Sequence, residues 1–543
     1  MMPGTPFKQL IQDAMDCVVE YGVLIKAKAR STQHCAVVQA VPIALWPSVF
    51  PQKHYEFLIQ VQMDYNILLN KLSSNELLVD SLQCMMKHDD YIKRLIEVYN
   101  KIDWTKQQPI SIGFQRCDYF LHTEDGEASN GSRVSPKLVE MNAFGTASAG
   151  IMQNVAKVHK VLQVKHQDSA FKEHYKGEIL YPDAISMISH AVAIAWKEYG
   201  QPKAAILIVT NENEKNVFDI GNIELKMALE YRIKAVRYTF GELNNMAVLK
   251  EEDRLFVNDT EIAIVYYRSG YDPSHFPAEK QWNAYLMLEQ SKAIKCPPVS
   301  HHLCTFKRIQ QVISNPNVLE SLLDDPAMIE RIRSTFVGQY SLDMGPEGDK
   351  AIEKALKSPK KFVLKSQREA AASTVYLTDK NNVVGSHWKV GVDYFTYHEV
   401  GRIVENAYSS LNINRFKANS LYGTLDYHLL KTIWDSSTLG ECYMDETLRK
   451  KLLQLQCLES RVTYTLMDRI NYPTQEYVVV GSDSKHQLLQ TSPEVGIYGV
   501  LVRNGEKVLM NSSAGYSVKC LPTQMDEVSL ATGARSSLIL TLS

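Results

Sequence analysis

The stretch beginning at Lys203, KAAILIVTNENEKNVFDIGNIELKMALEYR, constrains the fold more than any other. It reads as an unbroken apolar strand, a polar turn and then a helix, which is the rhythm of a parallel βαβ unit. Strands of parallel sheets carry helices on both faces, so they lose the apolar/polar alternation of half-exposed strands. RLFVNDTEIAIVYYRSGYDP adds further strand and ends in a glycine-bearing loop. Earlier, residues 7–110 read mainly as helices. HYEFLIQVQMDYNILLNKL and DDYIKRLIEVYNKI keep apolar residues three and four apart. Near the end, YGVLVRNGEKVLMN places Asn504-Gly505 between alternating segments, a hairpin signal for a two-residue turn. The class is α/β with antiparallel additions, without internal repeats.

Composition narrows the function classes. With 543 residues, 45% of them hydrophobic and 22% charged, the chain has length for about two to four domains. A formal net charge of −2 gives no reason to expect nucleic acid or an anionic membrane as partner. The nine cysteines are scattered without a C-x-x-C pair, as in a reduced, cytosolic protein. The apolar run CAVVQAVPIALWPSVFP is broken by Gln39, Pro42 and Pro47 and is too short to span a membrane. The first residues lack the order of a signal peptide, so a cytoplasmic protein is expected, or a secreted one if a leader has been removed. Residues 378–443 are dense in aromatics, as a packed subdomain would be.

Several short motifs carry chemistry. In KLVEMN, Glu140 and Asn142 sit two apart on a strand, so both side chains leave on one face, roughly 7 Å apart at Cα. A carboxylate and an amide oxygen placed this way suit a hard cation such as Mg²⁺, although an exposed edge pair has the same spelling. KFVLKSQREAAASTVYL delivers Lys365 and then Glu369 from a strand into a loop ending at Tyr376. Loops that wrap phosphate usually rely on glycine, yet Ala370, Ala371 and Ala372 stand here. Lys307 precedes a helical run, either as a solvated lysine or as a phosphate contact. Arg116 and Arg268 suit carboxylate recognition or structural salt bridges equally. Adjacent histidines point apart, so His301-His302 is rejected as a metal pair.

In this order, VPIALWPSVFP, RCDY, VEMN, NEKNVFD, YYRSGY, FVLKSQRE, YTLMDRI and VGIYGVLVRN resemble the eukaryotic glutathione synthetases. The resemblance covers nearly the whole chain except about 378–443. It implies an ATP-grasp fold with a substrate-binding α/β domain and a mobile lid. Along the chain it implies a mainly helical part (1–110), a metal-binding strand with connecting helices (111–200) and a substrate-binding βαβ domain (201–305). An ATP-binding segment with lid loop (306–377), an atypical insertion (378–443) and a C-terminal part (444–543) follow. The implied reaction joins γ-glutamylcysteine to glycine through an acyl phosphate, with ATP as substrate, two Mg²⁺ ions and a homodimeric enzyme.

Residue by residue, the resemblance implies Glu140, Asn142 and Glu369 as metal ligands, and Lys307 and Lys365 as phosphate-binding, catalytic lysines. Thr374 and Tyr376 lie on the nucleotide side, Met467, Asp468, Arg469 and Ile470 read adenine, and Glu494 turns towards the ribose. For the dipeptide it implies Arg116, also catalytic, with Phe144, Gly145, Thr146 and Ala147 after the metal strand. Glu214, Lys215, Asn216 and Ile220 follow, then Arg268, Ser269, Gly270 and Tyr271, and finally Lys519.

The departures fall on the peptide contacts and the glycine-rich loops. The family's G-G-G-N-N-x-Y becomes Ala370 to Tyr376, two serines become Gly145 and Ala147, and a glutamine becomes Ile220. An aspartate becomes Ser269, R-x-K becomes Lys519-Cys520-Leu521, and a closing Gly-Gly becomes Val528-Ser529. Nucleotide and Mg²⁺ binding are therefore expected to persist, with glutathione synthesis weakened or redirected. The alternative expectation is a non-catalytic relative that binds nucleotide or a partner, among them secreted effectors.

Overall fold

The computed structural model describes residues 5–27, 37–123, 134–367, 452, 459–481, 486–522 and 534–541. Its centre is a seven-stranded sheet. The strands run in the order Gln475–Val480, Ile43–Ala44, Ala534–Arg535, Lys507–Pro522, His486–Asn504, Ile110–Thr123 and Val134–Asn142. Except between Ala534–Arg535 and Ile43–Ala44, neighbours in it are antiparallel. The hairpin signal near the C-terminus is realised one residue later than read. Asn504 pairs with Lys507, so Gly505-Glu506 form the loop, with Gly505 at φ +57°. Left-handed backbone at the first central residue is what a type II′ turn requires.

The first 110 residues are less helical than the periodicity suggests. Helices Thr5–Glu20, Gln52–Ser73 and Asp90–Asn100 are present, but Leu24–Lys26, Val38–Ala40, Ile43–Ala44 and Ser48–Pro51 are strands. Pro42 and Pro47 interrupt any helix there. Leu24–Lys26 and Val38–Ala40 pair with each other, but the partners of the other two lie far along the chain: Ile43–Ala44 lies beside Val479–Val480 and Arg535, and Ser48–Pro51 runs parallel to Leu538–Thr541. Remote pairing leaves no local signal.

The βαβ reading is realised directly. Ala205–Thr210 is buried along its whole length and pairs in parallel with Ala235–Thr239 and Thr260–Tyr267, with helix Val217–Lys226 in the first crossover. A third unit is antiparallel, with Tyr464–Asp468 between Gln339–Ser341 and Phe362–Ser366. Helix Pro346–Lys357 covers it through Ile352 and Ala355.

Helix Gln52–Ser73 seats Leu58, Val61, Tyr65, Leu68 and Leu72 in the main core. On its sheet-facing side Asn66 donates to Asn511 Oδ1 (2.8 Å) and to the Ser512 carbonyl (3.1 Å). Gly499 lies beneath. A Cβ there would stand 2.5 Å from Gln62 Nε2 and closer still to Asn66 Oδ1. Gly499→Ala should therefore lower stability in urea unfolding by about 1–3 kcal/mol. An unchanged midpoint would show that this polar contact yields freely.

Candidate active site

Period-two alternation builds the site. Arg116 and Asp118 leave one face of Ile110–Thr123, where Arg116 lies opposite Asn142 and Asp118 opposite Glu140. On the other side Tyr498 lies opposite Arg116 and Gly496 opposite Asp118. One strand further, Glu494 pairs with Lys519, and Lys519 with Arg535. A Cβ at Gly496 would stand 2.7 Å from Arg116 Cδ and collide with Asp118, so glycine makes room for this pair.

Arg116 grips Asp118 with both arms, Nε to Oδ1 at 2.6 Å and Nη2 to Oδ2 at 2.7 Å. Its Nη1 donates to the Ala147 carbonyl at 3.2 Å. Lys519 donates to Asp118 Oδ2 (3.2 Å) and to Glu494. Glu494 was expected near the ribose; in the structure it is salt-bridged in this cluster. Burial pushes its carboxyl upward, with Asp118 and Glu140 adding to the effect and Lys519 opposing it.

Glu140 accepts from Lys307 Nζ at 2.8 Å. Lys307 is the first residue of helix Lys307–Ile313 and is buried. Lys365, on Phe362–Ser366, donates to the Val139 carbonyl at 3.2 Å. Burial favours protonating Glu140, but Lys307, Lys519 and Lys365 outweigh it and hold the carboxyl well below the usual range. Asn142 Nδ2 donates to Asp118 Oδ2 (3.1 Å) and Glu140 Oε1 (3.3 Å). Carboxylates only accept, so the amide nitrogen faces them and the amide oxygen is turned away. The ionised carboxylate of Glu140 fits a hard divalent cation, whereas Asn142 would have to turn its amide over before its oxygen could join it. Among the described residues no three His, Cys, Asp or Glu gather as a metal site; Glu369 lies outside them, as do Thr374, Tyr376, the three alanines, Val528-Ser529 and the insertion. His301 and His302 are buried, and burial depresses their pKa values to about 4 and about 3. His302 stacks on Phe144 at 4.0 Å.

The peptide side is tightly filled. Gly145 has φ +64°, and a Cβ there would stand 2.7 Å from the Tyr271 ring. Glycine thus answers both the backbone and the ring, and a serine fits neither. Thr146 donates to the Phe114 carbonyl (3.1 Å), and the Ala147 carbonyl also accepts from Tyr498 (2.7 Å). Arg268 is committed to Asp219 at 2.9 Å. Asp219 in turn accepts from the backbone N–H of Ser148 (2.9 Å) and Gly150 (2.7 Å), at the start of helix Ala149–Lys165. Glu214 accepts from Asn211 (3.0 Å) and from the Asn216 backbone (2.8 Å), while Lys215 is exposed. Ile220 was expected to reshape the pocket. It is fully buried among Ile208, Ile223 and Tyr266, so in this conformation it packs the core. Ser269 Oγ and Asn216 Oδ1 are buried without hydrogen-bond partners, and the Gly270 carbonyl accepts from Tyr91.

On the nucleotide side, Met467 and Ile470 pack with Phe120 and Val139, which joins this strand to the Glu140 strand. Asp468 accepts from Tyr340 (3.1 Å), and the Arg469 N–H donates to the Lys361 carbonyl (2.8 Å). Sequence reasoning missed Asp118, Asp219, Tyr498 and Arg535. Asp118 had a signal, lying two residues after Arg116 on the same strand face.

Two buried lysines, one on the Glu140 carboxylate and one on the Val139 carbonyl, thus meet beside Asn142 on an α/β scaffold. A family model described as eukaryotic glutathione synthase, ATP binding domain, matches residues 5–389 and 440–538, and the chain belongs to that family. It is 30% identical to glutathione synthetase of Rattus norvegicus over 532 residues, 97% of this chain and 95% of that one. The Homo sapiens enzyme is likewise 30% identical over 533 residues, with the same coverage. A chloroplastic glutathione synthetase of Arabidopsis thaliana is 26% identical over 97% of this chain and 84% of its own. Among solved structures, a glutathione synthetase like-effector from Globodera pallida in apo form superposes with a TM-score of 0.66 at 18% identity. That match covers 100% of this chain and 98% of the other, and it establishes a shared fold. No described helix is long and apolar enough to cross a membrane, and the six described cysteines are free thiols.

Asp219→Ala would strand Arg268 in the core and unseat a helix start, a loss of about 3–5 kcal/mol by denaturant unfolding. The depressed pKa of Glu140 gives a second expectation. The folded protein binds fewer protons there than the unfolded chain, so the stabilisation is complete above the ordinary carboxylate pKa and fades as pH falls below about 4. Lys307→Met should flatten this acid-side loss in unfolding curves taken between about pH 6 and pH 3. Parallel wild-type and variant curves would contradict the ion pair.

Proposed function

We propose that the protein is an ATP- and Mg²⁺-dependent carboxylate–amine ligase of the ATP-grasp type, with specificity redirected away from glutathione synthesis. The observation that carries this reading is Glu140, held ionised by Lys307 beside Asn142, with Lys365 arriving from the nucleotide-side sheet. Lys307 and Lys365 take the phosphate charge. The γ-phosphoryl group passes to a carboxylate oxygen of the acid as its bond to the bridging oxygen breaks and ADP leaves, and an amine then attacks the acyl carbon. The C–O bond to phosphate then breaks, and the amine nitrogen loses its extra proton. Glu140, Asn142 and Glu369 would hold Mg²⁺, which neutralises phosphate charge when bound. Family members named glutathione synthetase support the reaction class.

The peptide side supports redirection. Gly145 is closed off by Tyr271, Ile220 packs the core, and Arg268 is spent on Asp219.

The test is phosphate release with ATP, Mg²⁺, γ-glutamylcysteine and glycine, then with a panel of other acids and amines. Lys365→Met should lower the best rate on the order of a hundredfold. On the sequence expectation that alanines replace the family's glycines at 370–372, phosphate should also outrun peptide product. Saturable ATP binding without acid-dependent release for any pair would replace the ligase by a nucleotide-binding protein.

A further inference from the structure

Arg535 has no role in the site as described so far. It stands on the two-residue strand Ala534–Arg535, clamped by the pairing of its backbone with Lys519 and Ile43 and by its own N–H on the Pro42 carbonyl at 2.9 Å. Only 3% of the residue is exposed. Its Nε is buried without a hydrogen-bond partner, and no carboxylate among the described residues lies within ion-pairing distance. The groups bearing on it are Arg116, Tyr498, Glu494 and Asp118, and burial together with Arg116 works against its charge.

The carboxylates that could have served it are engaged. Asp118 is shared by Arg116, Asn142 and Lys519, and Glu494 accepts from Lys519. Arg268 is likewise committed to Asp219. A guanidinium cannot escape by deprotonating, so a buried one without a partner is costly in the free protein. Such a cost persists where a ligand removes it.

The sheet order says which ligand. The strand of Arg535 and the Glu140 strand, on which Lys307 and Lys365 converge, are four strand spacings apart, roughly 19 Å in a flat sheet. Arg535 therefore stands at the end of the site away from the phosphate-binding lysines. A planar fork with free N–H groups matches a carboxylate in two-point contact.

We propose that Arg535 is a specificity-determining residue that receives a carboxylate of the acyl donor. The identity of that donor rests on the ligase reading above; the anion site itself does not.

The experiment compares wild type with Arg535→Met and Arg535→Lys, each as the full chain. The thermal midpoint of the ligand-free protein comes first. Arg535→Met should raise it, because the variant removes a buried charge without removing a partner. A lowered midpoint would make Arg535 structural and overturn the proposal. Calorimetry follows, with a non-hydrolysable ATP analogue plus Mg²⁺, then with γ-glutamylcysteine, then with glutarate as a plain dicarboxylate. Arg535→Met should weaken the carboxylate probes by roughly tenfold or more, the loss expected for one charge-assisted contact. Arg535→Lys should recover part of it, and the ATP analogue should bind as before. Equal carboxylate affinity in wild type and Arg535→Met would overturn the proposal. Glutarate binding that depends on Arg535, in a protein that releases no phosphate from ATP with any acid and amine, would uphold it while removing the ligase reading.

Discussion

Asp118 has no exposed surface and holds three donors from three strands: the guanidinium of Arg116, the amide of Asn142 and the ammonium of Lys519. Taking a carboxylate out of water costs several kcal/mol unless donors surround it, and removal of one partner strands the others. Asp118 is therefore the point through which the edge strand Val134–Asn142, its neighbour Ile110–Thr123 and the hairpin strand Lys507–Pro522 are held in one register. A slip of one residue by either strand would turn Asp118 or Glu140 to the opposite face and part them. Gly496 belongs to the same arrangement, since any side chain there would displace the Arg116–Asp118 pair.

That rigidity suits the proposed chemistry. Phosphoryl transfer relies on charges already in place, because reorienting them at the moment of reaction would raise the barrier. Glu140 and Asn142 are fixed by the sheet, whereas Lys365 comes from a separate three-stranded unit. The shared packing of Met467 and Ile470 with Phe120 and Val139 carries the contact between the two. A nucleotide between them would be read by both, with the central sheet as the stationary partner.

Part of this was legible in the sequence. Glu140 and Asn142 on one strand face follow from a period of two, and the parallel unit follows from an unbroken apolar run. Lys307 and Lys365 became meaningful through the resemblance, since a lysine before a helix or at a strand end has no distinctive spelling alone. Other features depend on pairing between remote residues. Ile43–Ala44 is a strand because residues 479–480 and 535 flank it. The same holds for Arg535: loss of an arginine at position 519 was visible, but its neighbour across the strand, sixteen residues on, was not. Gly145 read as a lost hydroxyl, and only the Tyr271 ring shows why glycine is needed there. Ile220 read as pocket lining because sequence cannot say which side of helix Val217–Lys226 meets the core.

The charge balance of the cluster joins these observations. Among the described residues three cations of the central sheet, Arg116, Lys519 and Arg535, face two carboxylates, Asp118 and Glu494. The chain as a whole carries a formal charge of −2, so the excess of positive charge is local to this face of the sheet. Folding gains nothing from such an imbalance, since buried like charges repel and a balanced or apolar cluster would be more stable. Its value lies in binding. Under the proposal above, a bound carboxylate would bring the missing negative charge, and the cost carried by the free protein would become affinity for an anion at Arg535. The lysines around Glu140 stand at one end of this row and Arg535 at the other, which is the arrangement the proposed ligase would use to hold a nucleotide and an acid at once.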